Sequence, residues 1–143
     1  MKGVRSAIAG SSIVSDASLV VDALVGEGAR ADWAAAQLAA ARHTSAPHLL
    51  DVEVLAALRK LVSARDLSSS AAQRAVRELA ELPIRRYPAT RFLERIWALR
   101  GRLTPYDATY VALAEGLAVP FVTMDQRLAR AGGHGAEILA FAE

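Results

Sequence analysis

The sequence has no cysteine, which rules out disulfides, thiolate metal sites and cysteine nucleophiles and is compatible with a reducing cytoplasm. Lysine is almost absent too: of the seventeen basic residues only Lys2 and Lys60 are lysine, the rest being arginine, whose planar fork suits phosphate. The plain alternative, an arginine-rich coding bias, carries about equal weight. Histidine occurs three times, at His43, His48 and His134, without metal-ligand spacing. Aromatic residues make up 6% of the chain, so alanine and leucine must supply the packing, which points to several closely packed helices. No apolar run approaches the roughly 20 residues needed to cross a bilayer, so a soluble protein without a membrane partner is expected. Residues 1–12 carry an apolar stretch, Ala7 to Ala9, too short for a signal peptide, and are read as a flexible extension.

What remains describes one ordinary domain, expected over residues 13–143. The chain has 143 residues, 53% hydrophobic and 22% charged, enough to bury a single core. The net charge of +2 is weak support on its own for a nucleic-acid partner. Pattern and punctuation predict short strands at 12–16, 44–46, 84–87, 118–123 and 137–141. They predict helices at 18–25, 30–42, 47–65, 70–82, 90–100, 105–116 and 126–131. Ser18 is placed near the first helix start and Asp32 at the second N-cap. Pro47 is placed in the first turn of the third helix, with Gly101 and Gly116 closing later ones. Strands alternating with helices imply an α/β fold with a mainly parallel sheet covered on both faces.

Four carboxylates stand out. Two apolar strands each deliver an aspartate to the carboxyl edge of the sheet, where open α/β folds bind ligands: Asp16 and Asp125. Either alone is more readily explained as a helix cap; two at opposite ends of the chain shift the balance. Glu53 has only apolar neighbours at helical spacing, Leu49, Leu50, Ala56 and Ala57, so it projects toward a core or cleft and calls for a cation, an arginine or a metal. Asp51, nearer the helix start, is read as a terminus residue favoured by the macrodipole. Asp107 falls in the first turn of its helix, where an acid is also favoured without any function.

Gathered in one cleft, four acids would repel by about 4 kcal/mol per close pair even at an effective dielectric of 20. Divalent cations between the oxygens relieve this, and an all-carboxylate set suits Mg²⁺ or Mn²⁺. The chemistry that follows is activation of water for in-line attack on a phosphodiester. Ser18 and Thr123, each two residues from an aspartate, could support a carboxylate ligand, although local capping explains them equally well.

Several segments then resemble, in order, the motifs of the PIN-domain family and, within it, the VapC toxins of VapBC toxin–antitoxin pairs. They are Ile13-Val14-Ser15-Asp16-Ala17-Ser18, Leu49-Leu50-Asp51-Val52-Glu53, Leu103-Thr104-Pro105-Tyr106-Asp107-Ala108-Thr109-Tyr110, and Phe121-Val122-Thr123-Met124-Asp125-Gln126-Arg127. The resemblance implies a PIN-like three-layer α/β/α sandwich. It also implies a cytoplasmic Mg²⁺- or Mn²⁺-dependent endoribonuclease acting on RNA, usually a homodimer, held inactive in a hetero-oligomer by a VapB-type antitoxin. The family's metal and catalytic residues fall on Asp16, Glu53, Asp107 and Asp125. In the family the first strand normally begins almost at the initiator methionine, whereas here residues 1–12 precede it.

The arginines at 85, 86, 91, 95, 100 and 102 could track an RNA backbone or could be solvated helix faces paired with acids such as Glu94. Trp33 and Trp97 are taken first as packing or interface residues and second as base-stacking platforms. A DNA-directed or flap-type nuclease is the alternative within the enzyme class; a non-catalytic interaction module is the alternative outside it. A phosphoacceptor domain fits poorly, because it needs a lysine near the last strands. No nucleophile elbow or phosphate-binding loop is present.

Overall fold

The computed structural model describes residues 9–143. Five parallel strands form one sheet: β1 (Ile13–Ser15), β2 (Thr44–Pro47), β3 (Ile84–Tyr87), β4 (Phe121–Thr123) and β5 (Ile138–Ala140), in the order β3-β2-β1-β4-β5. Seven α-helices surround it: α1 (Ala17–Val25), α2 (Gly28–Ala40), α3 (Leu49–Ser63), α4 (Ser69–Glu81), α5 (Leu93–Ala98), α6 (Pro105–Leu117) and α7 (Gln126–Arg130). A short 3₁₀ turn, Ala89–Phe92, leads into α5.

The alternation of the central strands divides the core in two, as a period of two requires. Val14 and Phe121 pack on one face with Leu50 and Val54 of α3 and Val111 of α6; Ile13 and Val122 pack on the other with Leu19, Ala34 and Leu139. A sheet buried on both faces is the three-layer α/β sandwich expected. Helix α6 is buried continuously from Ala108 to Ala114, which explains why its residues read as apolar all round.

Local signals were misplaced at several helix ends. At α1 they held: Asp16 caps the helix, accepting from the Leu19 N–H at 3.2 Å, and Ser18 lies in its first turn. Asp32 lies within α2; the chain enters that helix through Glu27 and Gly28, the latter at φ +70°, a conformation glycine adopts without strain. Pro47 ends β2 in register with Tyr87, whose carbonyl accepts from the His48 N–H at 2.9 Å, and α3 starts after His48. Gly116 does not close α6: the helix ends at Ala118, held left-handed at φ 56°. The reason for a glycine at 116 is space, since a Cβ there would meet the Phe92 ring at 2.5 Å. The helix expected over 90–100 is split between the 3₁₀ turn and α5.

The flexible extension expected over residues 1–12 lies, for residues 1–8, outside the described residues. In its described part the Gly10 N–H donates to the Ala40 carbonyl, and the Ser11 carbonyl accepts from the Arg42 N–H. No helix among the described residues is long and apolar enough to cross a membrane.

Candidate functional site

The chain runs outward from β1 through β2 to β3, then returns to the other side of β1 for β4 and β5. The strand order therefore reverses between β1 and β4, and the crevice beyond their carboxyl ends is where such a sheet binds ligands. Asp16 follows β1 and Asp125 follows β4 by two residues. The backbone closes the two strand ends together, the Asp16 N–H donating to the Val122 carbonyl at 3.3 Å.

Asp16 is buried and carries a network of neutral donors. The Thr123 hydroxyl donates to Oδ2 at 2.5 Å, and the Ser18 hydroxyl donates to Oδ1. Both hydroxyls are fixed by backbone at the end of β4: Ser18 Oγ accepts from the Met124 N–H at 3.1 Å, and Thr123 Oγ1 from the Asp125 N–H at 3.0 Å. These bonds favour the charged carboxylate, but burial outweighs them and pushes the Asp16 pKa up to about 6. Asp16 is thus a desolvated acid that pairs with no cation among the described residues.

Asp125 has the opposite setting. It caps α7 through the Arg127 N–H at 2.9 Å, and the Arg127 guanidinium grips both its oxygens, Nε to Oδ1 at 3.1 Å and Nη2 to Oδ2 at 2.7 Å. That clasp lowers its pKa below the usual carboxylate value.

Asp107 sits in the first turn of α6, where the Thr104 hydroxyl accepts its N–H at 3.2 Å and Pro105 opens the helix. Burial raises its pKa; the Thr104 hydroxyl opposes this, the negative charge of Asp125 adds to it and Arg127 offsets it. One turn further on, the Tyr110 hydroxyl donates to Glu53 Oε1 at 2.5 Å. Burial raises the Tyr110 pKa first, then the bond to Glu53, with the charge of Asp16 contributing, so this phenol stays protonated and acts as a donor. Its ring is stacked on Phe121 at 5.6 Å, which orients it.

The acids are connected to different degrees: Asp16 is bonded through Thr123 to the Asp125 backbone N–H, Asp107 and Asp125 feel each other's charge, and Glu53 is bonded to Tyr110, whose phenol feels the charge of Asp16. Among the described residues no group of three acids or histidines forms a ready cage for a metal. The donor set nonetheless fits a hard cation such as Mg²⁺, which keeps several waters and takes only one or two carboxylates. The buried Asp16 without a counter-charge is the observation that calls for one.

Glu53 pairs with no arginine among the described residues and accepts from the Tyr110 hydroxyl. It is Asp51, expected as a plain helix-terminus residue, that meets an arginine: Arg86 grips it at 2.7 and 2.9 Å and also donates to the Leu79 and Ile84 carbonyls, knitting α3, α4 and β3. Arg95 pairs with Glu115 at 2.8 Å, not with Glu94, and Arg100 stacks on Trp97 at 4.5 Å. Trp33 packs beside Phe141, ring centroids 5.6 Å apart. Tyr110 and Arg127 were missed as site residues. Helical spacing of three from Asp107 and a separation of two from Asp125 were the available signals.

A family model described as PIN domain matches residues 13–134, so the chain is a member of the PIN-domain family. Within that family it is 47% identical over 126 residues to "Ribonuclease VapC1" of Mycobacterium tuberculosis, covering 87% of this chain and 94% of the relative. The crystal structure of M. tuberculosis VapC20, titled a Sarcin-Ricin loop cleaving toxin, superposes with a TM-score of 0.65 at 17% identity, covering 82% of this chain and 93% of that one. VapBC-5 of the same organism, titled a member of the VapBC family of toxin-antitoxin systems, gives a TM-score of 0.53 at 20% identity, covering 91% and 98%.

Proposed function

We propose that this chain is a toxin-type endoribonuclease that hydrolyses RNA phosphodiester bonds with the help of Mg²⁺ or Mn²⁺. The observation that carries this reading is the buried Asp16, joined through Thr123 to Asp125 at the reversal point of the sheet. Kinship with VapC1, named a ribonuclease, supports RNA as the polymer cut.

Asp16, Glu53, Asp107 and Asp125 would hold the cation, which when bound would supply Lewis-acid charge and lower the pKa of water. The chain's own residues prepare for it. Ser18 and Thr123 hold the Asp16 carboxylate in one orientation by bonding one oxygen each. Tyr110, kept protonated, holds Glu53 by a single donated bond to Oε1 and leaves its other oxygen for the cation. Asp16 must be ionised to meet a cation, so proton and cation compete for it and metal binding should strengthen as pH rises.

The same reading includes a VapB-type antitoxin as the neutralising partner, supported by the likeness to VapBC-5, and a place in the cytoplasm with the RNA. A homodimer belongs to it as well: Val52 and Leu55 of α3 and Leu93 and Trp97 of α5 are exposed apolar side chains of the kind self-association covers.

The test is cleavage of a mixed RNA pool by antitoxin-free protein, with Mg²⁺, with Mn²⁺ and with chelator, beside the deoxy counterpart and an Asp16→Asn variant. Metal-dependent cutting of RNA alone, lost in the variant, is expected. Intact RNA under every metal from folded protein would overturn the reading in favour of a binding role, and cutting of the deoxy polymer would move it to a DNA-directed nuclease.

A further inference from the structure

Three arginines grip carboxylates with two nitrogens each, and one differs from the others. Arg86 ties Asp51 to two carbonyls on other elements, and Arg95 joins α5 to Glu115 of α6. Arg127 joins nothing distant: its partner is two residues away, and among the described residues its guanidinium bonds no other group. Its side chain is 84% exposed, while that of Asp125 beneath it is 29% exposed, so the guanidinium covers the solvent side of a carboxylate at the crevice. A role in holding elements together does not account for it, and α7 is capped by the backbone N–H of Arg127 whatever its side chain.

We propose that Arg127 is a displaceable counter-cation, which occupies both oxygens of Asp125 when no divalent cation is present and is exchanged for that cation when it binds. The proposal rests on Asp125 being a ligand of the metal inferred above. An exposed ion pair of this kind contributes little stability, so a divalent cation can displace it. It nonetheless competes with that cation, because it takes a lone pair on each Asp125 oxygen and its positive charge repels a second cation brought to the same carboxylate. Among the described residues the guanidinium pairs with Asp125 alone and exerts a weaker, longer-range attraction on Asp107. The consequence of the clasp is a weaker apparent affinity for the metal than the acids alone would give. Release leaves a planar fork at the edge of the crevice.

The test is Mn²⁺ binding to the full-length protein, read from the free-ion electron paramagnetic resonance signal without RNA, for wild type, Arg127→Lys, Arg127→Gln and Asp125→Asn. Far-ultraviolet circular dichroism would show that each is folded. Lysine keeps the charge but cannot grip both oxygens, so it separates the clasp from simple repulsion. Tightening of several-fold in both Arg127 variants, and weakening in Asp125→Asn, is expected. In wild type the Arg127 Nε–H resonance should shift as Mg²⁺ is added. Wild-type or weaker binding in the two Arg127 variants, with Asp125→Asn still weakened, would overturn the clasp and leave the metal site standing. Binding by none of the four would overturn both.

Discussion

Asp16 and Asp125 occupy equivalent places, each just beyond the carboxyl end of a central strand and each capping the helix that follows. Their surroundings are opposite. Asp16 is buried among neutral donors and its pKa rises to about 6; Asp125 is partly exposed, clasped by an arginine, and its pKa falls. The same residue in the same motif has been given two protonation habits by its environment alone. The difference divides the labour at the crevice: one acid is fixed in position and short of positive charge, the other supplied with charge that can move.

The largest effect expected is on cleavage. Asp16→Asn and Asp125→Asn should each reduce RNA hydrolysis by about 10²–10³-fold or more, the scale on which removing a group that stabilises charge in a transition state acts. Single-turnover rates would check this; an Asp125→Asn enzyme at wild-type speed would confine the site to Asp16 and break the comparison.

Stability should separate the two acids. For Asp16 the folded-state pKa of about 6 lies above its ordinary value of 3.8, so the folded protein binds this proton more tightly than the unfolded chain. The associated stability is fully present below about pH 4 and is lost as pH rises through about 6. Asn cannot ionise, so metal-free Asp16→Asn should be more stable than wild type at pH 8, by on the order of 1–3 kcal/mol, with the gain gone by pH 4. Urea denaturation at the two pH values would measure it. Asp125→Asn should show the opposite sign at pH 8, because its folded pKa is depressed and its contribution is present above the ordinary carboxylate range.

Thr123→Val removes the hydroxyl that donates to Asp16 while keeping shape, and should cost about 1–3 kcal/mol at pH 8 by stripping a donor from a buried carboxylate. Equal stability to wild type would show that the hydroxyl does not hold this acid. A smaller effect is expected from Asp51→Asn, about 1 kcal/mol, since the Asp51–Arg86 pair is half-exposed yet knits three segments. Its cleavage rate should stay close to wild type, in contrast with Asp125→Asn.

Much of this was legible in the sequence because it lay in period and punctuation. The short apolar run at Ile13 and Val14, and the prolines at 83 and 88 flanking residues 84–87, located β1 and β3 within a residue. Although β4 begins three residues later than expected, its end lies where expected, so the strand-end positions of Asp16 and Asp125 followed. What was not legible depended on contacts far apart in the chain. Gly116 resembled a helix stop, but its reason is the Phe92 ring from another element. Glu53 and Asp51 both faced apolar neighbours, and which of them met an arginine was decided by the position of Arg86 on β3. The capping and site readings of Asp16 also proved to be compatible: one oxygen caps α1 while the other meets Thr123 from β4.

The most direct test of the account is a crystal of the antitoxin-free protein soaked in Mn²⁺ at pH 8 and measured at the manganese absorption edge. The account predicts an anomalous peak at coordination distance, about 2–2.3 Å, from carboxylate oxygens of both Asp16 and Asp125, with the Arg127 guanidinium turned away from Asp125. A peak elsewhere on the protein, with the Asp16 and Asp125 carboxylates keeping their present protein partners, would contradict it.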